Sequence, residues 1–153
     1  MSRFATKYFG HIEWPDEALL VFPEGLPGFE HERRFARLEP ERYAPLIFLQ
    51  SASTPELCFL AAPVAMVDPG YKLDSEAEEL RAIHATGVDV MVLLTAREGS
   101  PATANLLAPI AIDGKSRLAV QAVRRDRLYS CRHPLAGTPL AATPGGERLA
   151  QCS

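Results

Sequence analysis

Cysteine is scarce in this sequence of 153 residues, which contains three cysteines. Cys58, Cys131 and Cys152 are widely spaced, odd in number and without a Cys-x-x-Cys pair. This usage argues against the disulfide framework of small secreted domains and against zinc sites built from cysteine pairs. Cys58 stands in an apolar run, where cysteine usually packs as a small hydrophobic side chain. Cysteine usage therefore favours a reducing compartment.

Long apolar runs are also missing. No run approaches the roughly 20 residues that a membrane-spanning helix needs. Residues 1–7 contain no apolar core of the kind that a secretory signal peptide carries. We therefore expect a cytoplasmic protein that does not associate with a membrane.

Catalytic motifs are absent as well. The chain has no phosphate-binding glycine loop, no GxSxG nucleophile elbow and no HExxH metal motif. Its four histidines are far apart, and nothing near Cys131 and His133 completes a set of four metal ligands. The sequence therefore predicts no enzyme activity, no metal and no cofactor, and it favours a binding role.

The apolar residues that are present, 47% of the chain, are arranged mostly in strand-like runs. A single domain of this length buries a substantial core. Two apolar runs, residues 46–49 and 57–60, flank Ser53-Thr54-Pro55 and predict a hairpin. A second hairpin is predicted for residues 106–112 and 118–123, because Asp113-Gly114 suits a two-residue type I′ turn. These patterns predict a mainly β, antiparallel fold.

One short helix is predicted near residues 75–86. Ser75 and Glu78 have the spacing of a capping box, and Gly87 provides a stop. Ala77, Leu80, Ile83 and His84 recur at helical spacing. Glu76, Glu78 and Glu79 either stabilise the start of this helix through its dipole or form an acidic patch for a basic partner.

The segment from Phe22 to Phe29, FPEGLPGF, alternates two prolines and two glycines with three apolar side chains. Proline fixes φ and glycine permits positive φ, so this segment predicts a tightly bent loop. Pro23, Gly25, Pro27 and Gly28 set the bend. Phe22, Leu26 and Phe29 either anchor the loop in the core or present a partner-binding surface.

Charge is distributed unevenly along the chain. Residues 1–96 carry 15 acidic and 8 basic side chains, whereas residues 97–153 carry 4 acidic and 8 basic ones. The acidic majority disfavours strong nucleic-acid binding and favours a basic partner. The alternative is an RNA-binding module that uses the arginine cluster of residues 124–132, in which Arg124, Arg125, Arg127 and Arg132 surround Tyr129.

The composition changes after Leu135. Residues 136–153 are rich in proline, glycine, threonine and alanine without periodicity. Such a composition does not build a core, so it predicts a domain over residues 1–135 and a flexible tail over residues 136–153.

Several of these segments resemble the flagellar assembly factor FliW family. FPEGLPGF at residues 22–29 resembles the family's FPxG[IL]PGF signature, and TANLLAPI at residues 103–110 resembles its T-x-N-L-x-A-P-[IV] segment. Further pieces agree in order at residues 7–10, 48–51, 68–71 and 133–135. Within the second segment, Asn105 and Pro109 interrupt an apolar run and indicate an edge or a bulge.

The resemblance implies a small β-barrel-like, or pseudo-barrel, fold without catalytic activity. It also implies that the chain binds flagellin before export and binds the translational regulator CsrA, relieving repression of flagellin mRNA by partner exchange. Neither interface can be placed by the resemblance. The candidate partner-binding residues are those of the bent loop and the helix start, namely Phe22, Leu26, Phe29, Glu76, Glu78 and Glu79.

Overall fold

The computed structural model describes residues 1–83 and 87–151, and within them the backbone is mainly β. Every ladder between its strands is antiparallel, as predicted. The strands are β1 (Ser2–Thr6), β2 (Gly10–Trp14), β3 (Leu20–Val21), β4 (Arg34–Leu38), β5 (Ile47–Ser51), β6 (Cys58–Pro63), β7 (Val88–Arg97), β8 (Ser100–Ala104), β9 (Ile110–Asp113), β10 (Ala119–Gln121) and β11 (His133–Pro134).

The main sheet curls back on itself. Its strand order is β10-β9-β7-β6-β5-β4-β3, with β8 and β11 added beside the second half of β7. A bridge between Val21 and Leu118 brings β3 back toward the β9–β10 end, and the Val21 amide donates to the Arg117 carbonyl oxygen at 3.0 Å. In a closed barrel the two edges of the sheet are joined by a continuous ladder of hydrogen bonds. Here a single bridge joins them, so the mainly β fold is barrel-like.

The main core lies inside this curled sheet. It consists of side chains from seven strands and from the bent loop: Leu20, Phe22, Leu26, Phe35, Ile47, Leu49, Ala61, Met91, Ile110, Ile112 and Ala119. Strand alternation places Phe35 in this core and Leu38 on the opposite face of β4, where it packs with Ala36 under the β1–β2 hairpin. Both faces of β4 are therefore covered.

The helix predicted near residues 75–86 is present as a short 3₁₀ helix over Glu78–Ala82. Ser75 does not cap it, so the predicted capping box is wrong. The N-cap is Ala77, without a side-chain hydrogen bond, and Asp74 instead closes the turn before the helix, where its carboxylate accepts the Glu76 amide at 3.1 Å and its carbonyl accepts the Ala77 amide. Apolar residues three apart share one face of a 3₁₀ helix, which lets this face pack on β9 and β10. His84 lies outside the described residues.

The hairpin of residues 47–63 is confirmed, but the turn predicted between β9 and β10 is wrong in type. The positive φ expected at Gly114 occurs at Arg117, with φ of 60°. The Asp113 carboxylate accepts the Lys115 amide at 3.2 Å and the Ser116 hydroxyl at 2.7 Å, so a longer loop is closed by a side chain. Strand β9 also begins later than predicted, at Ile110.

The chain after Leu135 differs from the expected tail without core contacts. It forms a 3₁₀ helix over Pro139–Ala142 and then the helix α1 over Pro144–Gln151. Leu140 is fully buried and Leu149 nearly so, in a second core with side chains of β6, β7 and β8. Two well-placed leucines are enough to dock a segment whose composition is otherwise that of a linker. Among the described residues, none of the helices has the length and apolarity of a membrane span.

Candidate functional site: an acidic cleft beside the bent loop

The loop of residues 22–29 is bent by two glycines at positive φ. Gly25 has φ of 65° and Gly28 has φ of 84°, values that side chains disfavour. The Gly25 amide donates to the Phe22 carbonyl oxygen at 2.9 Å, and Leu26 and Phe29 exchange two backbone hydrogen bonds. The loop is therefore a compact turn that is closed by its own backbone hydrogen bonds.

The three apolar side chains of the loop have different environments. Phe22 and Leu26 are buried in the main core, whereas Phe29 is 41% exposed. The Phe29 ring lies edge-on to Phe59, with 5.4 Å between the ring centroids. Phe59 in turn lies 6.0 Å from Phe35 of the core. Phe22 and Leu26 therefore anchor the loop, and Phe29 is the loop side chain that offers apolar surface to a partner.

The predicted acidic residues lie on and before the 3₁₀ helix Glu78–Ala82. Glu76 and Glu78 are exposed, and Glu79 is half-buried. Asp74, just before them, accepts the Arg125 amide at 3.0 Å as well as the Glu76 amide. The two amides lower the pKa of the Asp74 carboxyl, so it remains ionised and ties the acidic segment to the arginine cluster.

The structure brings the bent loop and the acidic helix together at one cleft. The cleft has a volume of about 280 Å³ and is lined by Glu24, Gly25, Pro27, Glu30, Glu79, Val120 and Gln121. Three of these side chains are carboxylates and none is basic. The amides of Glu30 and Gly28 lower the pKa of the Glu30 carboxyl, which keeps it charged at neutral pH. The cleft is therefore an anionic recess, formed in part by the loop that also carries the exposed Phe29.

Sequence reasoning selected Glu79 but missed Glu24 and Glu30. Glu24 lies within the signature segment, and Glu30 directly follows it. The signal that could have identified them is the acidic charge in a loop whose glycines and prolines dominate the pattern. Of the other residues assigned to the bend, Pro27 and Gly25 line the cleft, and Pro23 is half-buried outside it. Glu76 and Glu78 border a neighbouring depression with Arg125.

Asn105 and Pro109 are not among the residues that line the cleft, and they lie in the irregular segment between β8 and β9. Ala104 pairs with Leu94 and Ile110 pairs with Met91, so the segment inserts extra residues opposite β7. The Asn105 carboxamide oxygen accepts the Ala108 amide at 3.0 Å, which closes a local turn.

The arginine cluster is divided by burial. Arg124 is 8% exposed, and its guanidinium donates to both Asp126 carboxylate oxygens at 2.8 Å. It also lies over the rings of Tyr71 and Tyr129, at 5.2 Å and 4.7 Å from the centroids. The hydrogen bonds that Arg124 donates to Asp126 raise the Arg124 pKa further, so this arginine is a permanently charged structural residue. Arg125, Arg127 and Arg132 are exposed.

Among residues 1–83 and 87–151, no three histidine, cysteine or acidic side chains are placed so that they could hold a metal ion. What the cleft offers is charge and shape, with three carboxylates around a recess that the bent loop helps to form. This arrangement suits recognition of a basic protein surface.

Comparison with known proteins places this geometry in a family. Residues 3–135 match the family model described as FliW protein. The chain is 38% identical over 136 residues to the flagellar assembly factor FliW of Bacillus licheniformis, across 86% of this chain and 95% of that protein. It is 32% identical over 151 residues to the FliW of Geotalea uraniireducens, across 96% of this chain and 92% of that protein.

A solved structure agrees with the sequence relatives. The crystal structure of the flagellar assembly factor FliW superposes on the chain with a TM-score of 0.78, at 35% identity, across 88% of this chain and 96% of that chain. The range of the family match, residues 3–135, includes the strands of the curled sheet and the signature loop. On both sequence and structure, this chain belongs to the FliW family of flagellar assembly factors.

Proposed function

We propose that this chain is a non-enzymatic cytoplasmic assembly factor that exchanges two partners. It binds flagellin before export, and when flagellin has been exported it captures CsrA and relieves repression of flagellin mRNA. Flagellin synthesis is thereby coupled to flagellin secretion, because the occupancy of one protein sets the activity of another.

The acidic cleft is the observation that carries this proposal. CsrA is an RNA-binding regulator, and a surface that binds RNA is expected to be basic. Glu24, Glu30 and Glu79 line a recess in which none of the described lining residues is basic, on a chain of net charge −3. Complementary charge raises the association rate of such a pair and disfavours partners of the wrong sign.

Phe29, on the same bent loop, supports a contact with an apolar segment. The terminal segments of flagellin are expected to be amphipathic, and such segments dock through large apolar side chains. Phe29 is 41% exposed and is held against Phe59, so its orientation does not have to be fixed on binding.

Calorimetric titration of the purified chain with CsrA, before and after saturation with flagellin, tests the proposal. We expect CsrA to bind the free chain and flagellin to abolish that binding. Binding of CsrA that is unaffected by saturating flagellin would contradict partner exchange. A folded chain that binds neither protein would contradict both interactions.

A further inference from the structure

A second recess, unrelated to the acidic cleft, lies between the β1–β2 hairpin and the outer face of β5 and β6. It has a volume of about 520 Å³, and its walls include the rings of Tyr8, Phe9, Tyr43 and Phe48 together with Leu60. Tyr8 is 62% exposed. This groove is apolar and open, and it is large enough to accept several side chains of a partner.

The aromatic walls of the groove are fixed by one another. The Phe9 and Phe48 ring centroids are 5.4 Å apart and edge-to-face, and the Tyr43 and Phe48 centroids are 5.9 Å apart in the same arrangement. Such contacts preorganise an apolar surface, which lowers the entropy lost when a partner binds.

Arg42 lines the groove, and two further cations, those of Lys7 and Arg148, lie over rings that line it. The Lys7 ammonium lies 5.4 Å from the centroid of the Tyr8 ring, and the guanidinium groups of Arg42 and Arg148 each lie 5.0 Å from the centroid of Tyr43. Within the described residues, no ion pair joins any of these three cations to a carboxylate. Glu39, which follows the neighbouring strand β4, is paired with Arg37 at 3.4 Å instead.

The C-terminal segment beyond the family match contributes to this set of cations. Arg148 belongs to α1, and Gly145 at the start of α1 approaches the Tyr43 carbonyl oxygen so closely that a Cβ would lie 2.5 Å from it. This close contact positions α1 beside the Tyr43 wall. Residues that lie outside the matched range 3–135 therefore add one of the three cations.

From this combination we propose that the groove docks an acidic amphipathic helix of a partner protein. Large apolar side chains of that helix insert between the rings of Tyr8, Tyr43 and Phe48. Carboxylates on its flank face Lys7, Arg42 and Arg148, whose stacking on the rings leaves their charges available. This surface is opposite in sign to the acidic cleft, and its partner class does not depend on the identity of the partners proposed above.

Two model peptides test the charge preference directly. Both are fluorescein-labelled 18-residue amphipathic helices with the same leucine and phenylalanine face, and they differ in having four glutamates or four lysines on the flanks. In anisotropy titrations with the full chain, we expect the glutamate peptide to bind about tenfold more tightly than the lysine peptide at low salt. Arg42→Glu removes this preference, whereas Arg127→Glu, the same charge change outside the groove, leaves it in place.

Tyr8→Ala tests the apolar part of the groove, with Leu128→Ala as its control because Leu128 is 76% exposed elsewhere. We expect Tyr8→Ala to weaken the glutamate peptide about fivefold or more, and Leu128→Ala to have no effect. Cys58 also lines the groove. In a variant with Cys131 and Cys152 changed to serine, we expect the bound glutamate peptide to slow the alkylation of Cys58. Equal binding of both peptides, no binding of either, or equal effects of Arg42→Glu and Arg127→Glu would overturn the proposal.

Discussion

Gly25 lies so close to Glu30 that a Cβ at residue 25 would be 2.5 Å from the Glu30 carbonyl oxygen. The same glycine has φ of 65°, so both its conformation and its surroundings exclude a side chain. This contact closes the signature loop and fixes the rim of the acidic cleft, where Gly25 and Glu30 stand together.

Gly25→Ala should therefore destabilise the protein far more than Gly28→Ala. Gly28 also has positive φ, but no atom of the described residues lies within 4 Å of its Cβ position. We expect losses of about 2–5 kcal/mol for Gly25→Ala and about 1–2 kcal/mol for Gly28→Ala in urea unfolding. Equal losses would mean that strain at φ, rather than the contact with Glu30, controls the loop.

Leu140→Ala measures how firmly the C-terminal segment is docked. Leu140 is fully buried in the second core, whereas Leu128 is 76% exposed. We expect Leu140→Ala to lower the free energy of unfolding by about 2–5 kcal/mol, and Leu128→Ala to change it by less than about 0.5 kcal/mol. A negligible effect of Leu140→Ala would support the flexible tail that the composition predicts.

The stability of the fold should depend on the ionisation of Glu32. Its carboxylate accepts hydrogen bonds from the hydroxyls of Ser51, Thr54 and Ser53, and these bonds lower its pKa below the ordinary 4.5, with Ser51 contributing most. Because the folded-state pKa is the lower one, this stabilisation is complete above pH 4.5 and is lost as the pH falls through the folded pKa.

Glu32→Gln isolates that contribution. In the wild type, the free energy of unfolding should fall as the pH is lowered from about 5 to 3. In Glu32→Gln the fall should be smaller, because the remaining dependence comes from other carboxyls whose pKa values are also lowered, such as Asp113 and Asp126. Identical pH profiles for the two proteins would show that the Glu32 hydrogen bonds do not discriminate between its charged and neutral forms.

Reversal of the charge of two cleft carboxylates and of the adjoining Glu78 should slow the association with CsrA. Glu24, Glu78 and Glu79 hold no hydrogen bond among the described side chains, so changing all three to lysine leaves the loop intact. At low salt we expect the association rate to fall about tenfold, and the difference to shrink as salt is added. The control changes the exposed Glu13, Glu17 and Glu98 to lysine, which alters the net charge equally.

Stopped-flow fluorescence at several salt concentrations gives these rates. If both triple variants slow association by the same factor, net charge rather than the cleft controls the encounter, and the cleft is not the CsrA surface.

Arg124→Ala distinguishes a structural arginine from an RNA-binding one. Its guanidinium is buried against Asp126, Tyr71 and Tyr129, so its loss should cost about 2–4 kcal/mol of stability. Arg127→Ala, at an exposed position, should be nearly neutral. A salt-sensitive gel shift of flagellin leader RNA by the chain alone, lost in Arg127→Ala, would instead support the RNA-binding alternative.

Local chemistry predicted much of the sheet. The hairpin of β5 and β6 follows from two apolar runs separated by turn residues, because strand formation there agrees with burial of apolar side chains. The helix near residue 78 was located correctly, but its geometry was not. Ala77, Leu80 and Ile83 satisfy a three-residue repeat as well as a helical one, and only packing on β9 and β10 selects the 3₁₀ form.

The sequence alone therefore determined the antiparallel β class, the bent loop and the family, since each depends on residues that are close together in the chain. Tertiary structure alone decided the two recesses. Curling of the sheet brings Glu24 and Glu30 beside Glu79 and Val120, and docking of the hairpin brings Tyr8 beside Tyr43 and Leu60. No local sequence pattern encodes these contacts, because the contacting residues are tens of positions apart in the chain and come together only when a shared core is buried.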